Sequence, residues 1–300
     1  MRCNTKADTQ QLNDCHPQKH LYAISDVSEK TGVNSVTLRA WQRRYGLLNP
    51  TRTEKGHRLY SQSDIERIQL ILSWLDKGVS IGKVKPLLEY SPANMVSAEA
   101  LDITSEVIES IDAFSKESLE KTVHQLLKEY PLSVLEKQFF LPIQQHLDGM
   151  DTPLSDAQRA FWVSLCRKCF ISTEAQIKSN AKQLVVVMSF DSECGYQLPL
   201  ELLRAKQQGQ QTLLLENYTG SVLGVDKMVT QIKASSLVIG GANSLSSKVL
   251  NDLKAWLAKM SIPIRITGMI TQIHPDLLQF CSNETLFERK ASKQEPEVKP

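Results

Sequence analysis

The chain has 300 residues and a mass of 33.8 kDa, a length that predicts two or three domains at about 100–200 residues per domain. Apolar residues make up 41% and charged residues 23%, which is ordinary for a globular protein and excludes wholesale disorder, collagen and coiled-coil rods. No apolar run approaches the roughly 20 residues of a membrane span, and residues 1–20 lack a secretory signal. We therefore expect a cytoplasmic protein with no membrane partner, its six cysteines reduced.

The charge is unevenly distributed along the chain. The formal net charge is +2, but residues 21–90 contain eleven Lys/Arg against seven Asp/Glu, so this segment carries +4 and the remainder −2. Six of those eleven cations lie between Arg39 and Arg58. A basic cluster inside a small folded unit is typical of phosphate binding, although a solvated helix face gives the same count.

Residues 1–20 are polar and are predicted to form a disordered leader, and the elements after it predict a helix-turn-helix unit over 21–90. A short helix ends at Gly32, and a second runs from Asn34 or Ser35 to Tyr45 before Gly46. The polar segment 51–60, with Lys55-Gly56 at its middle, predicts a hairpin with a glycine tip. A Ser63 to Glu66 capping box predicts the start of the next helix.

The second helix and the hairpin carry the residues that suggest a function. Three residues of the helix fall where it must face its own core: Val36, Leu38 and Tyr45. The opposite side carries Arg39, Gln42 and Arg43, which suits the major groove, where Arg bonds guanine bidentately. On the hairpin, Arg52, Lys55 and Arg58 suit a wing that grips phosphates.

This stretch closely resembles the MerR-type winged helix-turn-helix regulators. The matching features are Thr-Leu-Arg at 37–39, Tyr-Gly-Leu-Leu at 45–48, Pro-x-Arg-Thr at 50–53 and Gly-His-Arg-Leu-Tyr at 56–60. Ala-Trp-Gln-Arg-Arg-Tyr-Gly at 40–46 is similar to the branch of light-sensing cobalamin regulators (CarA/CarH, LitR) and MlrA-like biofilm regulators. The resemblance implies nucleoid-associated binding of double-stranded promoter DNA as a homodimer, with RNA polymerase at the same promoter and a role related to biofilm or stress.

The residues expected to contact DNA are Thr37, Arg39, Gln42, Arg43, Arg52, Lys55, His57, Arg58 and Tyr60. For Trp41, Leu59 and Tyr60, core packing is the competing interpretation, combined with a contact to the DNA backbone. We expect Arg39→Ala to lose sequence discrimination and Lys55→Ala to weaken binding to all sequences alike.

The rest of the chain predicts a linker over 91–100, a helical bundle over 101–180, an α/β domain over 183–283 and a disordered tail over 284–300. Pro131, Pro142 and Pro153 divide the bundle into about four helices. Apolar runs at 184–190, 212–215, 237–239 and 262–266, with a fifth near 278–281, alternate with helical stretches. The predicted fold class is therefore multidomain α plus α/β, ending in a doubly wound, flavodoxin-like parallel sheet.

A bundle followed by such a sheet resembles the cobalamin-binding module of the same branch. That module holds cobalt through a histidine in an Asp-x-His-x-x-Gly loop after its first strand. Here Asp191 is present, Glu193 stands where the histidine belongs, and Gly195 comes one residue early. No Glu-His pair exists anywhere to cap a corrinoid. We expect no cofactor and a vestigial ligand loop, the alternative being a site for another small molecule.

No enzyme chemistry is predicted. Cys166 and Cys169 form a lone Cys-x-x-Cys within a helical pattern, so buried, inert thiols are the expectation rather than a metal site. The leading hypothesis is a DNA-binding transcriptional regulator that has lost corrinoid binding. The alternatives are an adenosylcobalamin-dependent light-sensing regulator and a corrinoid-dependent methyltransferase subunit, and both need the missing histidine.

Overall fold

The computed structural model describes residues 21–89, 103–179, 182–191 and 195–282. The predicted leader, linker and tail therefore lie outside the described residues. None of the helices within these ranges is both long and apolar enough to cross a bilayer.

The first described segment has winged helix-turn-helix topology. Its elements are β1 (Tyr22–Ala23), α1 (Ile24–Thr31), α2 (Ser35–Arg43), β2 (Thr51–Arg52), β3 (Arg58–Tyr60), α3 (Gln62–Asp76) and α4 (Ile81–Glu89). β3 lies between β1 and β2 in an antiparallel sheet. Asn34 caps α2, because its Oδ1 accepts the backbone N–H groups of Val36 and Thr37 at 2.9 Å each.

Two predictions in the helical regions are corrected. The capping box of α3 is Ser61 with Asp64, two residues before the predicted one, because β3 ends at Tyr60 and the helix follows at once. Pro142 does not end a helix, because the backbone widens before it into a π-helical turn. In that turn the N–H of Leu141 bonds to the carbonyl of Glu136, five residues back.

The bundle packs against the winged unit and the α/β region. Its elements are α5 (Ile103–Asp112), α6 (Lys116–Glu129), α7 (Leu132–Leu135), the π-turn (Glu136–Phe140), α8 (Leu141–Asp148) and α9 (Ser155–Gln176). One cluster of buried apolar side chains runs from Val27 through Trp41 and Phe140 to Leu203. The winged unit therefore shares a continuous hydrophobic core with the bundle.

The last segment is a parallel sheet with helices on both faces. Its elements are β4 (Leu184–Ser189), α10 (Gln197–Gln207), β5 (Gln211–Leu215), α11 (Val222–Gln231), β6 (Ser236–Gly240), α12 (Ser247–Leu257), β7 (Ile264–Thr267) and α13 (Ile270–Ile273). The strand order β5-β4-β6-β7 places the first strand between the second and third. Val185 and Val187 pack in the cluster with α10, and Val186 and Met188 in the cluster with α11 and α12. This is the predicted doubly wound, flavodoxin-like arrangement.

The predicted fifth strand is wrong. Residues 275–280 form a 3₁₀ helix, Pro275–Phe280, and only beyond it does the Ser282 N–H bond to the carbonyl of Ile264 in β7. Ten residues separate Thr267 from Leu278, fewer than the dozen or so that a crossover to a parallel strand needs.

Candidate nucleic-acid interface

Helix α2 presents a cationic face to solvent. Arg39 and Arg43 lie one turn apart on this face; Arg43 is exposed and Arg39 half-buried. Nη1 of Arg39 lies 3.4 Å from Oγ of Ser35 on the same helix. Within the described part of the chain Arg43 makes no hydrogen bond or ion pair, so its guanidinium is available to an external acceptor.

The hairpin between β2 and β3 adds further cations beside this helix. Arg52, Lys55 and His57 are exposed, and Nη1 of Arg52 donates to the carbonyl of Gly56 at 3.1 Å. Gly56 has φ +80°, a left-handed conformation that glycine adopts at little cost, and its N–H bonds to the carbonyl of Thr53. The tip is therefore closed by its own backbone and holds its cations outward.

One side-chain hydrogen bond joins the helix to the wing. Nε of Arg58 donates to Oε1 of Gln42 at 2.6 Å, so the predicted contact residue Gln42 supports a wing arginine. Burial raises the pKa of Tyr60, and the nearby guanidiniums of Arg58 and Arg39 act to lower it. Arg39, Gln42 and Arg58 are thus brought together although they come from two separate elements.

Two predicted contact residues do not reach the surface. The side chains of Thr37 and Tyr60 are fully buried, and neither hydroxyl has a hydrogen-bond partner among the described residues. Tyr60 belongs to the apolar core, which is the competing interpretation given above. Thr37 lies one turn before Trp41, on the side of α2 that turns away from solvent. In this conformation neither side chain is able to contact DNA.

Val36 is a surface residue that sequence reasoning placed in the core. Its side chain is 46% exposed, while Leu38, expected on the same inner side, is fully buried. Val36 lies three residues before Arg39 and seven before Arg43, so the three side chains share one face of α2. This face therefore combines one apolar group with two guanidiniums. The sequence contains the signal for this exposure, because helical spacing places Val36 on the same face as the two arginines.

The loop after β4 is tied into the fold at both ends. Oδ2 of Asp191 accepts the backbone N–H groups of Ala242 and Asn243, at 2.9 and 3.1 Å. The carbonyl of Gly195 accepts from Nη1 of Arg167 in α9 at 2.7 Å. Glu193 lies outside the described residues. The two described members of the predicted ligand loop thus have structural hydrogen bonds.

Aromatic rings of the bundle pack against Tyr196, which lies between β4 and α10. Phe140 lies with its ring centroid 6.0 Å from those of both Trp162 and Tyr196, and 5.0 Å from that of Phe170. Three of the four side chains are fully buried and Tyr196 nearly so. Rings at these distances are in contact and leave no room for a planar macrocycle between them. The described residues here do not fit a corrinoid.

The structure brings one histidine to the loop after β6 that the sequence did not place there. Nε2 of His274 accepts the backbone N–H of Leu245 at 3.1 Å, in the loop that follows β6. That nitrogen is consequently occupied. Among the described residues no group of three His, Cys, Asp or Glu side chains is arranged to hold a metal ion.

The Cys-x-x-Cys pair is confirmed as buried. Cys166 and Cys169 are both fully buried in α9 and are free thiols. Burial raises the pKa of Cys166, and it raises that of Cys169 to about 12. Neither thiol is therefore present as the reactive thiolate at neutral pH.

Comparisons with known proteins agree with the geometry of α2 and the wing. The MerR HTH family regulatory protein model matches residues 22–91. HTH-type transcriptional regulator MlrA of Escherichia coli (strain K12) is 33% identical over 189 residues, 63% of this chain and 77% of that protein. HTH-type transcriptional repressor CarH of Myxococcus xanthus is 39% identical over 67 residues, 22% of either chain. A solved cobalamin-binding protein from Desulfitobacterium hafniense DCB-2 overlaps 60% of this chain and 80% of its own, at TM-score 0.30 and 12% identity.

Proposed function

We propose, because this chain belongs to the MerR HTH family of transcriptional regulators, that it binds promoter DNA in a sequence-specific way. Helix α2 would enter the major groove and the wing would hold the phosphate backbone on its flank. The observation that carries the proposal is the exposed face of α2, where Arg43 and Arg39 stand beside Val36 and the Gln42–Arg58 pair. Base edges would be read by this face, and phosphates by Arg52, Lys55 and His57.

We further propose that the protein acts in the cytoplasm as a homodimer on a two-fold symmetric site. A symmetric dimer presents two recognition helices to half-sites about one helical turn apart, which doubles the contact surface. RNA polymerase at the same promoter would be the other partner. The bundle and the α/β region would serve in assembly or sensing and would catalyse no reaction.

We also propose that this C-terminal region works without a corrinoid. The support is the ring cluster around Phe140 and the structural hydrogen bonds of Asp191. The alternative is an adenosylcobalamin-dependent light sensor. Purification in the dark with added adenosylcobalamin separates the two, because a visible corrinoid spectrum at one equivalent per chain would support the sensor.

The test of DNA binding begins with selection of genomic fragments by the full-length chain. The enriched site is then measured by fluorescence anisotropy against a scrambled duplex of equal length and composition. We expect the enriched site to bind at least about a thousand times more tightly, the lower end for specific regulators. Equal affinity for both duplexes would contradict the proposal.

A further inference from the structure

Beside the apolar packing, three polar contacts between the α2 region and the bundle converge on a single residue. Glu129 is the last residue of α6, and its backbone carbonyl accepts Nε1 of Trp41 at 2.8 Å. Its carboxylate accepts Nη1 of Arg44 at one oxygen and the hydroxyl of Tyr45, at 2.7 Å, at the other. Three side chains from α2 and the residues just after it thus converge on Glu129, more than 80 residues away in sequence.

The ion pair at this junction is asymmetric. The side chain of Glu129 is 5% exposed, whereas that of Arg44 is 56% exposed. A buried carboxylate needs compensation at both oxygens, and Arg44 and Tyr45 supply it. Burial and the hydrogen bond to Glu129 raise the pKa of Tyr45, which therefore stays a neutral donor. Arg44 by contrast keeps much of its side chain in solvent, so it is able to leave Glu129 for another anion.

Arg44 directly follows Arg43 of the cationic face. A guanidinium in that position is an obvious phosphate ligand, and phosphate oxygens and carboxylates are bound by the same bidentate geometry. Thr37 lies seven residues before Arg44 on the same side of the helix, and its hydroxyl is buried without a partner in the described residues. Of these two groups that suit a DNA backbone, Arg44 is paired with Glu129 and Thr37 is buried.

On the basis of the proposed function, we propose that Glu129 competes with DNA phosphate for Arg44, so that the bundle restrains DNA binding. In the conformation described, Arg44 is neutralised by the protein itself. When DNA binds, Arg44 either stays with Glu129 and contributes nothing, or moves to phosphate and leaves a buried carboxylate short of a partner. Both routes lower the affinity for DNA below that of a chain in which Arg44 is unpaired. Any change that shifts the end of α6 would therefore alter the affinity for DNA.

The test uses the full-length chain, its selected operator and a scrambled duplex, with affinities measured between about 50 and 200 mM salt. Glu129→Gln keeps the size of the side chain and an acceptor for Tyr45 but removes the charge. We expect it to bind both duplexes about three- to fivefold more tightly at low salt. The slope of log affinity against log salt should steepen by about 0.9, the value for one added phosphate contact.

Arg44→Gln tests the same pair from its exposed partner and requires no change in a buried residue. We expect Arg44→Gln alone to bind DNA with the same affinity as the wild-type chain. Combined with Glu129→Gln, it should abolish the tighter binding that Glu129→Gln gives. The matched control is Glu120→Gln, a glutamate on the same helix that pairs with Lys168 in α9. It should change neither the affinity nor the salt slope.

The outcomes separate this proposal from the proposed function. If the wild-type chain prefers its operator but Glu129→Gln binds no more tightly, the competition is refuted and the proposed function stands. If Arg44→Gln alone weakens binding as much as Arg43→Gln, Arg44 already contacts DNA and the competition is equally refuted. If the wild-type chain prefers no duplex, both proposals fail.

Discussion

The face of α2 and the loop after β4 are the two regions where the sequence indicates ligand chemistry, and they use their charged groups in opposite ways. On α2 and the wing, Arg43 and Lys55 point to solvent and bond to nothing within the described residues. After β4, Asp191 accepts backbone N–H groups of the loop that follows β6. A charged residue next to a fold's ligand site is thus informative only when its own hydrogen bonds are known.

The difference also extends to packing. Around the wing the exposed side chains are long and polar, so that the surface is able to adapt to a partner. Next to the α/β region, the buried rings of Phe140, Trp162 and Phe170 pack against one another within the bundle. We infer that the first region is built for an external ligand, and that the second has become part of the core.

The largest effect is expected from emptying this second region. Trp162→Ala removes a fully buried ring and should lower the free energy of unfolding by about 3–5 kcal/mol, measured by urea denaturation. The control is Leu154→Ala, because that side chain is 54% exposed and should cost no more than about 0.5 kcal/mol. Equal effects of the two variants would mean that the ring cluster is loosely packed, with room for a cofactor between the rings.

Asp191→Ala tests whether the loop has a structural role. Removing the acceptor of two backbone N–H groups should lower the free energy of unfolding by about 1–3 kcal/mol. Operator affinity should stay the same, because the residue lies after β4 and not on the DNA face. Asp252→Ala, on the exposed side of α12, is the control for charge removal. Altered operator affinity with unchanged stability would assign Asp191 to a regulatory ligand instead.

Arg39→Ala probes base recognition on the α2 face. We expect the difference in binding free energy between operator and scrambled duplex to shrink by about 1–3 kcal/mol, because a guanidinium that reads a base discriminates by that amount. Lys248→Ala, which removes a cation from the exposed side of α12, should leave the difference intact. A uniform loss on both duplexes would make Arg39 a phosphate ligand.

Local patterns in the sequence predict many of the structural features of these regions. The helical spacing of Arg39, Gln42 and Arg43, the glycine at the wing tip and the four apolar strand runs all follow from neighbours within about ten residues. The burial of Cys166 and Cys169 follows in the same way from their positions in an apolar helix. These features needed no knowledge of distant contacts.

The burial of Thr37 depends on contacts between distant segments, whereas the errors at the fifth strand and at Val36 do not. Thr37 was assigned to DNA, yet it is buried on the side of α2 that carries Trp41, whose indole bonds to Glu129, 88 residues further along. The fifth strand is wrong because the connection after β7 is too short for a crossover to a parallel strand, and its ten residues are already countable in the sequence. Helical spacing alone predicts that Val36 is exposed, because it places Val36 on the same face of α2 as Arg39 and Arg43.

Lys55→Ala should give a smaller effect, equal on all sequences. The side chain lies at the exposed wing tip, so its loss should weaken operator and scrambled duplex alike and flatten the salt slope by about 0.9. Lys55→Arg should restore the slope, because the charge returns. A loss confined to the operator would show that the wing reads bases.

Val36→Ala is expected to give the smallest effect, and it sharpens the assignment of the α2 face. An exposed valine beside two arginines suits an apolar contact with the methyl group of a thymine in the major groove. Replacing single thymines of the operator with uracil removes only that methyl, and one position should cost the wild-type chain roughly fourfold in affinity, about 0.8 kcal/mol. Val36→Ala should bind the thymine and uracil versions equally well, since its contact is already lost. If the variant still prefers thymine at that position, another side chain makes the methyl contact, and Val36 lies outside the groove.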